Sequence, residues 1–354
     1  MNQRILPSSI LAIGSNNRQL GALTLIAALL LNSCGPGKPA LRSSSGGVNE
    51  LLIITKDTIQ WAVQPGDTLR DFFGASQIGL PQREPIFNLY NIIDKDFSDI
   101  SRRLHNIFIV QINPDSTKTM TEIVQDRWAS PQCVIRIIAP DLQSFYREFE
   151  QNKDHFMQLY INLERKRTLM INKLDADVKV MNLVEKKFGI RLPFPEGFSV
   201  ASETPDFMWL RYSRTRADTQ TEIGIMIYTD DNKDDMVLSP KQIIKRRNLT
   251  TIEHIHGSAS QSYMVIAQED FPPVFDTLTD FPGGYAVETR GLWKMQNDFM
   301  GGPFLSYTFI NRTNNKIITL DGYIYHPNED KMGFLRQLEA IFFGIEFTTY
   351  ATSN

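Results

Sequence analysis

The chain has 354 residues, 42 % of them hydrophobic and 10 % aromatic, which is ample for a buried core in one large or two medium domains. Its formal net charge is −3; without the first 34 residues, 35 basic side chains face 40 acidic ones, a charge of −5. Mild acidity excludes the general attraction for nucleic acid that phosphate neutralisation requires, and two cysteines exclude a disulfide framework.

The run Gly21 to Leu31 is apolar and uncharged, preceded by Arg4 and Arg18. A membrane-spanning helix needs about 20 apolar residues, so the run is too short to stay in a bilayer, whereas a secretory signal core of roughly 7–15 residues fits. Its ending Leu31-Asn32-Ser33-Cys34 resembles the bacterial lipobox, in which a signal peptidase cuts ahead of a cysteine that carries lipid. Asn32 departs from the small residue usual there. The reading makes Cys34 the lipidation site and the membrane, through acyl chains such as palmitate, the first partner. Gly35-Pro36-Gly37-Lys38-Pro39 continues no helix and opens a flexible tether over residues 35–49.

Leu51 to Thr55 reads as a first buried strand and Asp67 to Phe73 as a short helix. Pro85 to Ile92 alternates with a period of two, Asn106 to Ile112 is a continuous apolar run, and Asp96 to Arg103 between them reads as a helix. Val134 to Ile138 adds a strand, and the apolar run Cys133 to Ile138 buries the Cys133 thiol. Asp141 is the predicted cap of the longest helix, whose apolar stripe runs Leu142, Phe145, Phe149, Phe156, Tyr160, Leu163, Met170, Leu174. Its charged run Glu164-Arg165-Lys166-Arg167 reads as a solvated face. Val178 to Phe188 is a second helix stopped by Gly189.

Beyond Pro193-Phe194-Pro195-Glu196-Gly197 the composition shifts to strand formers. Candidate strands are Phe198–Ala201, Phe207–Tyr212, Glu222–Tyr228, Tyr263–Ala267, Tyr285–Trp293, Phe304–Ile310 and Lys316–Tyr325, with helices at Lys241–Thr250 and Glu329–Phe343. The fold class is therefore α+β: two α/β lobes, the first β-α-β-α-β-β-α and the second rich in antiparallel sheet, joined by a long helical segment. The expected divisions are a signal peptide over 1–34, the tether, an N-terminal lobe over 50–140, a helical connector over 141–192, a C-terminal lobe over 193–347 and a tail over 348–354.

Four segments carry a resemblance: Gly79 to Phe87, Arg103 to Ile107, Asp126 to Gln132 and Arg290 to Phe304. They resemble the lipoprotein family of Bacteroides-like bacteria catalogued as domain of unknown function number forty-eight thirty-seven, over about residues 50 to 347. The resemblance implies an exported, lipid-anchored cell-envelope protein with no established activity, so no functional residues carry over. In such lipoproteins acidic residues just after the cysteine favour the cell surface; here no acid precedes Glu50, so the domain is expected to face the periplasm.

As chemistry, Arg290, Trp293, Asp298 and a Gly301-Gly302-Pro303 turn would present a charged and aromatic cluster at a pocket mouth, with Arg127 and Trp128 facing it, suited to an anionic ligand or a glycan. The competing reading gives these tryptophans and glycines to packing and a tight turn. His254 and His256 stand alone without further ligands at metal-site spacing, and nucleophile-elbow, phosphate-loop and dinucleotide motifs are missing from the sequence. No metal and no cofactor are expected. The leading expectation is a non-enzymatic binding component whose partner is an envelope protein or glycan. The alternative, an envelope glycan or peptide hydrolase using carboxylates in an inter-lobe cleft, stays open because such carboxylates come from distant positions and leave no local signature.

Overall fold

The computed structural model describes residues 40–216, 219–232, 238–312 and 314–348. The signal segment with Cys34 and most of the expected tail lie outside the described residues. Residues from Arg42 onward form one compact unit.

Its first sheet has the order β3-β2-β4-β7-β5. Strands β2 (Glu50–Thr55), β3 (Asn88–Ile93), β4 (Asn106–Ile112) and β7 (Cys133–Ala139) run parallel, and β5 (Met120–Gln125) lies antiparallel against β7. The inner strands are near-continuous apolar runs because both faces are covered. On one face, Leu69 and Phe73 of α2 (Gly66–Phe73) and Phe145, Phe149, Phe156 and Tyr160 of α3 (Leu142–Leu174) pack on Ile53, Phe108 and Ile135. Leu52, Ile54, Ile107 and Val134 point the other way, beneath Phe97, Leu104 and Trp128. Two short elements, α1 (Thr58–Ala62) and the pair β1 (Arg42–Ser43) with β6 (Ala129–Ser130), complete this lobe.

Several expectations shift here for physical reasons. The spacer expected to reach residue 49 is part of the fold from Arg42, because β1 pairs with β6, Ser45 bridges Leu104 and Asn49 is buried. Pro85 to Phe87 is loop, since Ile86 donates to Ala75 and Phe87 turns into the core. The helix expected at Asp96–Arg103 is instead two single 3-10 turns, Asp94–Asp96 and Ser101–Arg103, parted where Phe97 leaves to pack edge-on against Trp128.

Helix α3 spans 33 residues, capped at its start by Asp141, whose Oδ1 accepts the Ser144 amide at 2.7 Å. Its apolar stripe is buried only to Leu163; Met170 and Leu174 are exposed because the helix has run past the first sheet. That extension packs against α6 (Met332–Phe343), so α3 joins the two lobes. Within Glu164-Arg165-Lys166-Arg167 only Lys166 is exposed, which corrects the solvated-face reading: the other three charges face the lobe junction.

The second lobe is an antiparallel eight-stranded sheet, β12-β14-β15-β16-β11-β10-β9, with β13 lying beside β14 on the same side as β12. Its strands are β9 (Ser199–Thr204), β10 (Phe207–Arg216), β11 (Thr219–Asp231), β12 (Tyr263–Ile266), β13 (Val274–Leu278), β14 (Ala286–Gln296), β15 (Gly301–Asn311) and β16 (Lys316–Tyr325). Val180 and Val184 of α4 (Val178–Phe188) and Leu335, Leu338 and Phe342 of α6 cover one face over Leu210, Ile225 and Leu305. On the other face, α5 (Pro240–His254) lies over Met226, Trp293 and Phe304, with Arg247 buried against Asp321. A strand pair, β8 (Ile190–Arg191) with β17 (Glu346–Phe347), closes the end. Strand β13 was not anticipated: prolines flank it and, among the described residues, only one side is paired.

The lobes are fastened by a cap supplied across the junction. Helix α6 has no side-chain cap of its own, yet Glu84 of the first lobe, 3 % exposed, accepts the amides of Lys331 at 2.8 Å and Met332 at 2.6 Å. A carboxylate there meets unpaired N–H groups and the positive end of the helix dipole. Nearby, Gln82 donates to the Glu329 carbonyl and to Asp330, each at 3.1 Å. Glu84→Ala should therefore lower unfolding free energy by about 1–3 kcal/mol, read as an earlier urea midpoint, with Glu84→Gln intermediate because its amide oxygen still accepts.

Candidate functional site

Two lobe-joining elements and one strand converge on a single buried carboxylate. Glu339 on α6 is fully buried and accepts from Arg290 Nη2 on β14 at 2.7 Å, from Arg165 Nε on α3 at 3.5 Å, and from Arg336 Nη1 one helical turn before it. Arg290 also grips Glu288, two residues earlier on the same strand face, through Nε at 2.6 Å and Nη2 at 2.9 Å, and Tyr307 donates its hydroxyl to Glu288 at 2.7 Å. The Arg165 guanidinium stacks on Phe343, 3.9 Å from the ring centre. Arg336 Nε donates to Asn49 at 3.0 Å, and the Asn49 amide donates to Glu164 at 3.0 Å. Glu164 then meets Asn106 at 2.8 Å, and its Oε1 lies 2.9 Å from His105 Nε2, whose other ring nitrogen faces the Ser45 carbonyl at 2.7 Å. One polar chain thus runs from the second sheet to the first.

Burial opposes ionisation of Glu339, but Arg336, Arg290 and Arg165 outweigh it and hold this carboxyl far below the usual carboxylate range. Burial likewise opposes the charge on Arg290, and Glu288 and Glu339 outweigh it, so the guanidinium is held well above its ordinary value. Glu164 is also lowered, His105 and the Asn49 amide overcoming its burial. Burial pushes the Tyr307 hydroxyl well up, aided by the same two glutamates.

Beside this network lies a cavity of about 360 Å³, lined by Ile78 and Ile86 of the first lobe, Met157, Ile161 and Arg165 of α3, residues of β13, and the network itself. A recess of about 220 Å³ continues it past Ile78, Val274 and Arg290 to Phe271 and Pro272. Two buried donors of cavity-lining residues, Arg290 Nη1 and Arg336 Nη2, have no acceptor among the described residues. Guanidinium groups suit a carboxylate or another planar anion.

The structure distributes the expected site residues over three places. Arg290 stands at the cavity floor. Trp293 is 2 % exposed, donates to the Ile324 carbonyl at 3.3 Å and packs edge-on against Tyr323. Gly301 and Gly302 are not in a turn but open β15, opposite Lys294 and Trp293; a side chain on Gly302 would land 2.0 Å from the Ile324 carbonyl oxygen. The turn is Asn297 to Met300, with Asn297 at φ 60°, Asp298 accepting the Phe299 amide at 2.7 Å and Phe299 fully exposed. Arg127 and Trp128 form a separate cluster: Arg127 lies over the Trp128 ring and 3.6 Å from Glu122, while Trp128 packs on Phe97 and Arg102. Of the resembling segments, Gly79 to Phe87 and Arg290 to Phe304 do meet: a Cβ on Gly79, at φ 88°, would stand 3.0 Å from that of Arg290.

Sequence reasoning missed Arg165, Glu288, Arg336 and Glu339. Their signal was present as charges set among apolar positions: Arg336 and Glu339 directly follow the inward Leu335 and Leu338, and Glu288 and Arg290 interrupt a mostly buried strand. Elsewhere, His254 stacks on Phe207 at 4.0 Å and His256 is exposed. Among the described residues no His, Cys, Asp and Glu group has the makings of a metal site, and the Cys133 thiol is pushed up to about 12 by burial.

The depressed carboxyls set the acid response. A group more acidic folded than unfolded stabilises the fold fully above the unfolded value, about 4.3 for glutamate, and loses that contribution as pH falls. The urea midpoint should therefore drop between pH 6 and pH 3. Glu339→Gln, which takes the shared charged partner from Arg165, Arg290 and the buried Arg336, should cost about 3–5 kcal/mol at pH 6 and make that decline shallower.

No curated protein matches this sequence. The crystal structure titled LpqN involved in cell envelope biogenesis of Mycobacterium tuberculosis is similar over 45 % of this chain and 83 % of its own, at 12 % identity and a TM-score of 0.27. Among the described residues no helix is long and apolar enough to cross a membrane. Residues 44–173 match the model of a domain of unknown function, DUF8532, so three of the four resembling segments fall in a part of the chain described separately from the fourth. Residues 176–344 match a second model, that of the family described as domain of unknown function DUF4837.

Proposed function

We propose that the protein is a lipid-anchored component of the cell envelope, its domain facing the periplasm, that binds an acidic ligand in the inter-lobe cavity without transforming it. The observation that carries this reading is the pair of acceptor-less guanidinium nitrogens, Arg290 Nη1 and Arg336 Nη2, on residues lining a cavity whose walls mix apolar side chains such as Ile78, Ile86, Met157 and Ile161 with charged ones. Binding is favoured over hydrolysis because the two buried cleft carboxylates are committed. Glu339 is locked as an anion by three arginines, and the oxygens of Glu288 are already taken by Arg290 and Tyr307. The anchor rests on Leu31-Asn32-Ser33-Cys34 and the periplasmic side on the acid-free residues after it.

A ligand that binds only the folded state raises the unfolding midpoint. Hexanoate should do so, and hexanamide at equal concentration should not, because the guanidinium groups need a charged acceptor. Equal effects of the acid and the amide would sink the reading. For the anchor, an alkyne analogue of palmitate supplied to the native host should label the wild-type chain and not Cys34→Ala, and protease added to intact cells should leave the domain uncut.

A further inference from the structure

The cavity lies along an edge of the second sheet. Val274, Phe275 and Asp276 are consecutive and all line it, although neighbouring side chains on a strand point to opposite faces. A space reached by three in a row is therefore beside the strand, where its backbone is presented. β13 pairs with β14 on one side and, among the described residues, with no strand on the other. Alternate residues of such an edge aim N–H and C=O outward, unsatisfied by the sheet. Across the gap stands one stripe of α3, Met157, Ile161 and Arg165, spaced at four residues.

We propose that this groove takes an extended peptide, which adds to β13 as a further antiparallel strand and lodges its C-terminal carboxylate against the arginines that line it, Arg290 and Arg336. The proposal rests on the acidic-ligand reading and names its occupant. Direction follows from register. Arg290 pairs with Val274, the first residue of β13, so a carboxylate held there ends a chain running opposite to β13. Side-chain preference follows from the walls. Ile78, Ile86 and Ile161 suit apolar or β-branched residues near the C-terminus. Exposed Asp276 and Asp280, which also line the groove, favour a basic residue further upstream and disfavour an acidic one. Main-chain pairing would supply affinity and the pockets specificity.

The test uses ligand-side changes, because replacing Arg336 would also release Glu339. The probe is a fluorescein-labelled hexapeptide of alternating valine and threonine, with lysine at its second position and a free C-terminal carboxylate, titrated by fluorescence anisotropy against the chain from residue 35 onward. Binding should weaken at least tenfold in the C-terminal amide. It should also weaken at least tenfold on N-methylation of one alternating set of peptide nitrogens and little on N-methylation of the other set, the signature of a strand paired on one side. Loss with the amide but indifference to both N-methylated sets would overturn strand addition and leave the acidic-ligand reading standing. Strand addition is overturned in the same way if hexanoate stabilises the protein and the peptide does not bind at millimolar concentration. Indifference to amidation, or failure of peptide and hexanoate alike, would overturn both.

Discussion

The arrangement of this molecule depends on keeping one carboxylate charged where water is excluded. Glu339 can remain ionised at full burial only because guanidinium groups arrive from three elements: Arg165 from α3, Arg290 from β14 and Arg336 from α6 itself. Bringing an ion out of water costs several kcal/mol even after relaxation, and Coulomb attraction repays it only when geometry is good and lone pairs are filled. Glu339 meets that condition only when the first lobe sits against the second, because Arg165 belongs to a helix whose core contacts lie in the first. The pairing acts as a registration device: an apolar junction would tolerate sliding, whereas displaced arginines would leave buried charge unmatched.

The same requirement explains why the junction leaves a groove. Arg290 spends Nε and Nη2 on Glu288 and Glu339, and Arg336 spends Nε and Nη1 on Asn49 and Glu339. Each guanidinium fork is rigid and planar, so the remaining nitrogen must project away from the carboxylate it serves. Both residues line the space between α3 and β13. An open sheet edge is ordinarily a route to aggregation. Here Pro272, Pro273, Asp276 and Asp280 discourage another sheet from docking along β13, and α3 narrows the approach. A broad partner is excluded while a single extended chain can enter.

The elements whose burial follows a simple period were legible in the sequence. The strands at Phe207, Glu222, Phe304 and Lys316 and the helix from Asp141 combine strong apolar patterning with clear boundaries, and the α+β class follows from their order. What escaped is of another kind. β13 is half paired, flanked by prolines and carries exposed Thr and Asp, so it lacks the apolar content by which a buried strand announces itself. Glu288, Arg290, Arg336 and Glu339 form a site only because a strand and a helix more than forty residues apart are stacked by the fold. The Trp293 segment looked like a site because tryptophan, paired glycines and charges cluster in sequence. In space the tryptophan and Gly302 serve close packing against β16, and Arg290 alone of that segment reaches the cavity.

The point at which the first lobe takes hold of the chain bears on where such a groove can work. With β1 pairing from Arg42 and Ser45 bridged to Leu104, that point lies eight residues after Cys34. Eight residues span at most about 29 Å when fully extended. If Cys34 carries the lipid, as we propose, the point of attachment stays within that distance of the membrane surface, so the domain cannot search a wide volume. A ligand must then come to the membrane rather than be fetched from it. A chain terminus bearing a carboxylate, on a protein or peptide already close to the same membrane, would meet the groove at the high local concentration that confinement brings. Modest intrinsic affinity would suffice there, in keeping with a site that offers two spare guanidinium nitrogens and one strand edge.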